Sequence, residues 1–331
     1  MRVSGERVFQ ARRLLIGASV ASLGLLALPA LADDISSQAS PNPVCSRPEL
    51  VQAPQDDVER WLVRSMLASQ CYEYQARAVS IDSLGVRTLA LSHRINDGVR
   101  QQVVQHLDGP SISVERRSQA GRLAWFVPDS SPDERASPEA WALHVEQFYA
   151  VTIENEERIA GRVASRLRFD PFDENRYMHT WWVDEETGLL LKHELRDAQE
   201  RVIETFQMTQ LQSPELYDGP LVDEEGREEV DAALDVNWLP DGFVAQPALI
   251  TGDDPLPQRF YSDGLASISV FATPVADQPL VSGVYTLGVS SVAIELVEFD
   301  DEPWQLVGIG ELPAAQVRRI VQSIELGAPP S

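Results

Sequence analysis

Arg259-Phe260-Tyr261-Ser262-Asp263-Gly264-Leu265-Ala266-Ser267-Ile268-Ser269-Val270-Phe271 is the stretch whose reading decides the fold. An Asp-Gly pair between apolar runs predicts a two-residue type I′ hairpin, because both residues tolerate positive φ. After the turn, Ala266, Ile268 and Val270 share one face, and Leu265, Ser267, Ser269 and Phe271 the other. The first face is wholly apolar, so this strand lies on a core. The turn itself, Tyr261, Ser262, Asp263 and Gly264, is expected to be exposed, as turns commonly are. It is therefore the candidate contact surface for a partner.

Other motifs flank it in a definite order. Leu107-Asp108-Gly109-Pro110, Arg158-Ile159-Ala160-Gly161-Arg162, Arg176-Tyr177, Trp182-Val183-Asp184-Glu185-Glu186-Thr187-Gly188-Leu189 and Glu204-Thr205-Phe206 precede it. Trp238-Leu239-Pro240-Asp241-Gly242-Phe243 comes just before it, and Gly310-Glu311-Leu312-Pro313 follows. From about residue 58 onward this succession resembles the RseB/MucB family of periplasmic negative regulators of the sigma-E (AlgU) envelope-stress response. The resemblance implies a non-enzymatic protein that binds the periplasmic part of a membrane-spanning anti-sigma factor of the RseA/MucA type. It also implies that binding shields that segment from site-1 proteolysis, and that envelope lipid or a lipoprotein releases the regulator. The chain departs from its relatives in charge: Phe260 to Val317 contains no lysine or arginine, where they carry arginines.

The start of the chain reads as an export signal. Arg2, Arg7, Arg12 and Arg13 precede an uncharged run from Leu14 to Leu31, and Ala30-Leu31-Ala32 supplies a small-x-small site. Cleavage after Ala32 and a periplasmic location are the expectation. Residues 33–54, rich in Ser, Pro and Asp, read as a flexible tail. Cys45 and Cys71 are the only cysteines, and an oxidising compartment favours a Cys45–Cys71 disulfide over two free thiols. The formal net charge of −24 argues against nucleic acid and anionic membrane surfaces as partners. Lys192 is the sole lysine.

Periodicity gives an α+β reading in two domains. Val58, Trp61, Leu62, Ser65 and Met66 make one apolar helical stripe, with Asp56 or Asp57 as its cap. Short alternating runs follow to residue 127, then a helix from Ser137-Pro138-Glu139 to Phe148, then more strands to residue 211. Residues 55–212 thus form a large curved antiparallel sheet, a half-barrel packed on helices; the resemblance makes it lipoprotein-carrier-like. Trp61, Met66, Tyr74, Trp125, Trp141, Phe148 and Trp182 are the candidate lining of a lipid cavity there, ordinary core being the alternative. Residues 213–235, with Asp218, Asp223, Glu224, Glu225, Glu228, Glu229 and Asp231, read as an acidic linker. Residues 236–327 form a smaller α+β domain closed by a helix bearing Val317, Ile320, Val321 and Ile324.

The residues assemble no catalytic or cofactor site. The five histidines are scattered, and no G-x-S-x-G elbow exists. His193-Glu194 opens like H-E-x-x-H, but Asp197 stands where the second histidine belongs. The acidic clusters lack the alternating ligands of a calcium loop. No metal or cofactor is therefore expected. The runner-up function is a lipid or lipoprotein carrier without a signalling partner, followed by an exported hydrolase. A homo-oligomer is left open.

Overall fold

In the computed structural model, residues 44–54, 56–109, 113–117, 137–219, 221, 234–246, 258–275 and 279–327 are described. The signal segment, Trp125 with the expected strand at 122–127, and most of the acidic linker lie outside these residues. Helix α1 (Val58–Cys71) is capped by Asp57, whose side chain accepts from Arg60 N at 3.1 Å. The sequence predicts one buried stripe, but α1 is buried nearly all round, Val63, Arg64, Leu67 and Ala68 included. The cause is a second layer on its outer side: Val44 to Val51 folds against α1, with Cys45 bonded to Cys71 and Leu50 in the core. Helix α2 (Pro138–Phe148) has Pro138 in its first turn and Ser137 as N-cap, whose Oγ accepts from Ala140 N at 3.0 Å. It packs on α1, and Arg47 of the outer layer pairs with Glu139 at its start.

Both helices lie on a nine-stranded antiparallel sheet. Its strands are β1 (Tyr72–Asp82), β2 (Gly85–Asn96), β3 (Val99–His106), β4 (Ser113–Arg117), β5 (Tyr149–Ile159), β6 (Arg162–Pro171), β7 (Met178–Asp184), β8 (Leu190–Arg196) and β9 (Val202–Leu216). The spatial order β4-β3-β2-β1-β9-β8-β7-β6-β5 shows two meanders joined where β9 returns beside β1. Irregularities of register in the β1–β9, β5–β6, β7–β8 and β8–β9 pairs bend the sheet, and β5 comes into contact with β9. Strand β9 runs on to Leu216, opposite Tyr72, and so occupies the first part of the stretch expected to be linker.

The second domain has β10 (Leu234–Val236), β11 (Val244–Gln246), β12 (Gln258–Ser262), β13 (Ser267–Pro274), β14 (Gly283–Leu287), β15 (Ser290–Phe299), β16 (Glu302–Gly310), α3 (Ala314–Gln322) and β17 (Ile324–Leu326). Six strands form one antiparallel sheet in the order β11-β12-β13-β16-β15-β14, while β10 pairs with β17. Ile268, Val270 and Ala272 are fully buried against Val317, Ile320 and Val321 of α3, as the alternation predicts. Gly308 lets α3 close on the sheet, since a Cβ there would collide with Val321.

The Asp263-Gly264 hairpin differs from its expected geometry. Ser262 pairs with Ser267, leaving a four-residue loop in which only Gly264 has positive φ, at 98°. Side chains dictate that loop. Asp263 Oδ1 accepts from Leu265 N at 2.9 Å and Ala266 N at 2.7 Å, and Ser262 Oγ donates to Ala266 O at 2.8 Å. These bonds supply partners that a tight turn would have taken from backbone. The two-residue turn with positive φ at both positions falls instead at Asp300 and Asp301, φ 53° and 62°, between β15 and β16.

The disulfide closes a separation of 26 residues, worth about 3 kcal/mol in the chain-entropy account. Intact-mass analysis of exported protein should find no alkylatable thiol until reductant is added. Reduction should then lower the thermal midpoint. Two reactive thiols without reductant would remove the bond, and an unchanged midpoint its structural role.

Candidate functional site

The most elaborate buried polar centre among the described residues is a clasp between the two domains. Arg176 stands in the turn between β6 and β7, held by Asp173, whose carboxylate accepts from Nε at 3.1 Å and Nη2 at 2.9 Å. Its side chain is wholly buried. Nη1 donates to Asp263 Oδ2 at 2.8 Å, and Nη2 donates to Asp241 O at 2.6 Å. The guanidinium also lies over Phe148, Tyr149 and Phe243, 5.4 to 5.6 Å from their ring centres. Asp263 is 0% exposed, and Tyr149 Oη donates to its Oδ2 at 2.8 Å. With two backbone N–H groups on Oδ1, both carboxylate oxygens are fully engaged, which is the condition under which a buried charge is tolerated.

Helix α2 completes the contact. Trp141 Nε1 donates to Gly264 O at 3.1 Å, and His144 Nε2 lies 2.9 Å from Gly242 O. Glycine is required at both places: each has positive φ, and a Cβ would sit 2.8 Å from Trp141 Nε1 at 264 and 2.5 Å from Phe148 at 242. Leu265, at the tip of the loop, belongs to the core of the first domain. The His179–His193 pair, 3.1 Å between Nδ1 and Nε2, lies buried behind Tyr149, whose ring meets His179 edge-on at 6.0 Å.

Electrostatics follow from this burial. Burial first, then the charge of Asp263, pushes the Tyr149 hydroxyl well above its ordinary range. For Arg176 burial is the largest effect and opposes the charge, yet Asp263, Tyr149 and Asp173 together hold the guanidinium above its usual value. Burial lowers His144, although its contact with Gly242 O opposes that shift.

The expectation of an exposed contact turn is thus corrected. Tyr261 sits in the core of the second domain, and Ser262, Asp263 and Gly264 are buried against the first. In the folded chain Asp263 and Gly264 are engaged by Arg176, Tyr149 and Trp141. The described residues of the expected lipid-cavity lining are packed core in the folded chain. Trp61, Met66 and Trp141 are packed in one core with Tyr74 and Phe148 against them, and Trp141 stacks on Trp181 at 6.3 Å. Trp182 belongs to a different cluster, with Ala76, Ile159, Ala164, Leu191 and Met208, because neighbours on a strand face opposite ways. Lys192 Nζ and Arg166 lie 4.0 and 5.3 Å from its ring. Two surface clefts, one at Gly161, Arg162, Val163 and Asp184–Glu186 and one at Asp56, Ile153–Asn155, Glu157 and Arg166, include none of the expected lining. Among the described residues no three His, Cys, Asp or Glu side chains are grouped as metal ligands, and no helix is long and apolar enough to cross a membrane.

Arg176, Tyr149 and His144 escaped the sequence reading as site residues. The available signal was weak: Arg176, Asp241 and Asp263 all fall within the quoted motifs, but so do Arg158, Arg162, Arg259 and several other acids.

Curved sheet, small α+β domain and buried clasp define a two-domain protein whose polar centre joins its parts rather than facing a substrate. Residues 57–233 match the model of the MucB/RseB N-terminal domain, and residues 228–325 that of the MucB/RseB C-terminal domain. The chain belongs to the MucB/RseB family. It is 28% identical over 290 residues to the sigma factor AlgU regulatory protein MucB of Pseudomonas aeruginosa, covering 81% of this chain and 90% of that one. Against the sigma-E factor regulatory protein RseB of Escherichia coli K12 it is 28% identical over 304 residues, covering 79% and 88%. The structure resembles MucB in the P. aeruginosa MucA/MucB complex, with TM-score 0.62, 28% identity and coverage of 82% and 99%. It likewise resembles MucB solved alone, with TM-score 0.60, 26% identity and coverage of 82% and 98%. The curated relatives are named as regulatory proteins.

Removing one member of the clasp leaves the other charge buried and unpaired, which costs about 3–5 kcal/mol. Arg176→Ala and Asp263→Ala should each lower stability by that order in urea unfolding, and the double variant by clearly less than the sum. Additive losses would show that the pair does not act as a unit.

The pH dependence has a definite sign. The ordinary value of a histidine is 6.5 and the folded state lowers His144 and His93, so the unfolded chain binds more protons below that pH. Stability should fall as pH drops from about 7 toward 5, with a slope of up to about 1.4 kcal/mol per pH unit for each group. His144→Gln should flatten that slope. A slope unchanged in the variant would clear His144.

Proposed function

We propose that this chain is a periplasmic regulator that binds the periplasmic segment of a membrane-spanning anti-sigma factor. Bound there, it shields the segment from the protease that would cut it first, and an envelope lipid or lipoprotein weakens the complex. The observation that carries this reading is the match of both domains, end to end, to a family whose MucB member has been solved in complex with MucA.

The packing adds a physical requirement. Trp61, Met66 and Trp141 are at most 2% exposed, so an acyl chain entering among them must separate packed layers. Trp141 is also bonded to Gly264 of the second domain. Prising α2 from the sheet would therefore disturb the clasp, which gives the lipid a route to alter what both domains bind together. Linkage then demands reciprocity: the factor by which lipid weakens partner binding equals the factor by which partner weakens lipid binding. The docking of the second domain is what a carrier without a partner would not need.

The test uses the periplasmic segment of the organism's own anti-sigma factor and calorimetry with the full exported chain. Saturable binding, slower cleavage of the segment by its site-1 protease, and weaker binding with added lipid are expected. Absence of binding would end this reading; binding without protection would confine the role to tethering.

A further inference from the structure

The sheet of the second domain ends at β14, and no described strand pairs with its outer side. A free edge invites another chain, and proteins ordinarily blunt such edges with charge, bulges or proline. The edge strand β5 does so: Glu154, Glu156, Glu157 and Arg158 line it, and its register is broken between Glu154 and Glu157. Strand β14 has no such guard. From Pro279 to Ile294 no residue is charged, in a chain that is 24% charged. Its Val284, Tyr285 and Leu287 are open to solvent, 37%, 40% and 58% exposed, as are Thr286 beside them and Val281 just before the strand.

The strand is tied in at both ends. Tyr285 Oη donates to Val281 O at 2.9 Å, which ties the entry loop to the strand. At the other end Gly288 abuts the β1–β2 hairpin, where a Cβ would lie 2.6 Å from Asp82 Oδ2, a carboxylate paired with Arg87, and 3.5 Å from Leu84. Leu84 and Val86, at that turn of the first domain, are exposed apolar side chains.

Charge selects the occupant. No lysine or arginine occurs between Phe260 and Val317, and Glu298, Asp300, Asp301 and Glu302 lie exposed on the β15–β16 hairpin beyond the start of β14. A second copy would bring another net charge of −24 to this surface, and like-charge repulsion opposes that pairing. We infer that β14 takes up, as a seventh strand, an extended segment of the partner with alternating apolar side chains and lysine or arginine at one end. This rests on the reading of the partner as an anti-sigma segment and names where on the chain it docks. Main-chain hydrogen bonds supply the affinity in this mode, and the exposed Val284, Tyr285 and Leu287 the specificity.

The experiment measures binding of a synthetic periplasmic segment of the anti-sigma factor to the full exported chain and to V284K/L287K, with V163K/V202K as a control at exposed apolar sites elsewhere. The inference expects Kd to rise at least about tenfold in the β14 variant, with thermal midpoint unchanged and the control equal to wild type. Hydrogen exchange on wild type should show amides of 283–287 slowed by the segment while those of β5 are not. Equal binding by the β14 variant, equal weakening by the control, or unslowed amides in 283–287 overturns it. So does a β14 variant that loses self-association in ultracentrifugation yet keeps its affinity, which would make a second copy the occupant. A segment that fails to bind wild type at all removes the proposed function, and this inference with it.

Discussion

The Arg176–Asp263 contact is the constraint on which the rest of the structure depends. It sits where two separately built cores meet, with both side chains enclosed. Coulomb attraction there is strong, but desolvation of two charges offsets much of it, so its worth is conditional on complete hydrogen bonding. The bonding is complete: Asp173 and Asp241 O take the remaining guanidinium donors, Tyr149 shares Asp263 Oδ2, and two loop amides occupy Oδ1. Such an arrangement tolerates one relative placement of the domains and penalises others, since any shift strands a buried charge. The pair therefore fixes register more than it adds stability.

From that constraint the loop chemistry follows. Asp263 must face inward, so the hairpin opens from two residues to four, and Leu265 is carried into the neighbouring core. Gly264 and Gly242 are needed because Trp141 and Phe148 come too close for a side chain. Residues that look like turn furniture are the docking surface between domains, and the protein's outward-facing surfaces must be sought elsewhere.

Much of this was legible in the sequence, and the failures have physical reasons. Alternation placed Ile268 and Val270 on the core, and Ser137-Pro138 marked the start of α2, because those signals are local. The cysteine pair followed from compartment alone. What could not be read was tertiary override. An Asp-Gly dipeptide prefers a type I′ turn unless a distant cation claims the carboxylate, and Arg176 lies 87 residues away. Beyond its first turn helix α1 is buried nearly all round because a second layer, tied by Cys45, covers it, so a single-stripe reading undercounted its burial. Trp181 and Trp182 are neighbours in sequence and opposite in space, and only register decides which of them meets α2. The expected cavity lining became core for the same reason: aromatic content does not say whether the space between layers is filled.

The clasp is the element that fixes how the two domains are presented together. Native-state hydrogen exchange tests this most directly, at the amides of Leu265 and Ala266 that donate to Asp263. If the clasp holds the domains as one unit, these amides should exchange only in step with global unfolding, their protection rising and falling with denaturant as that of Ile268 does. Rapid exchange at Leu265 and Ala266 while Ile268 stays protected would mean that the domains part freely in the native state, and would contradict the account.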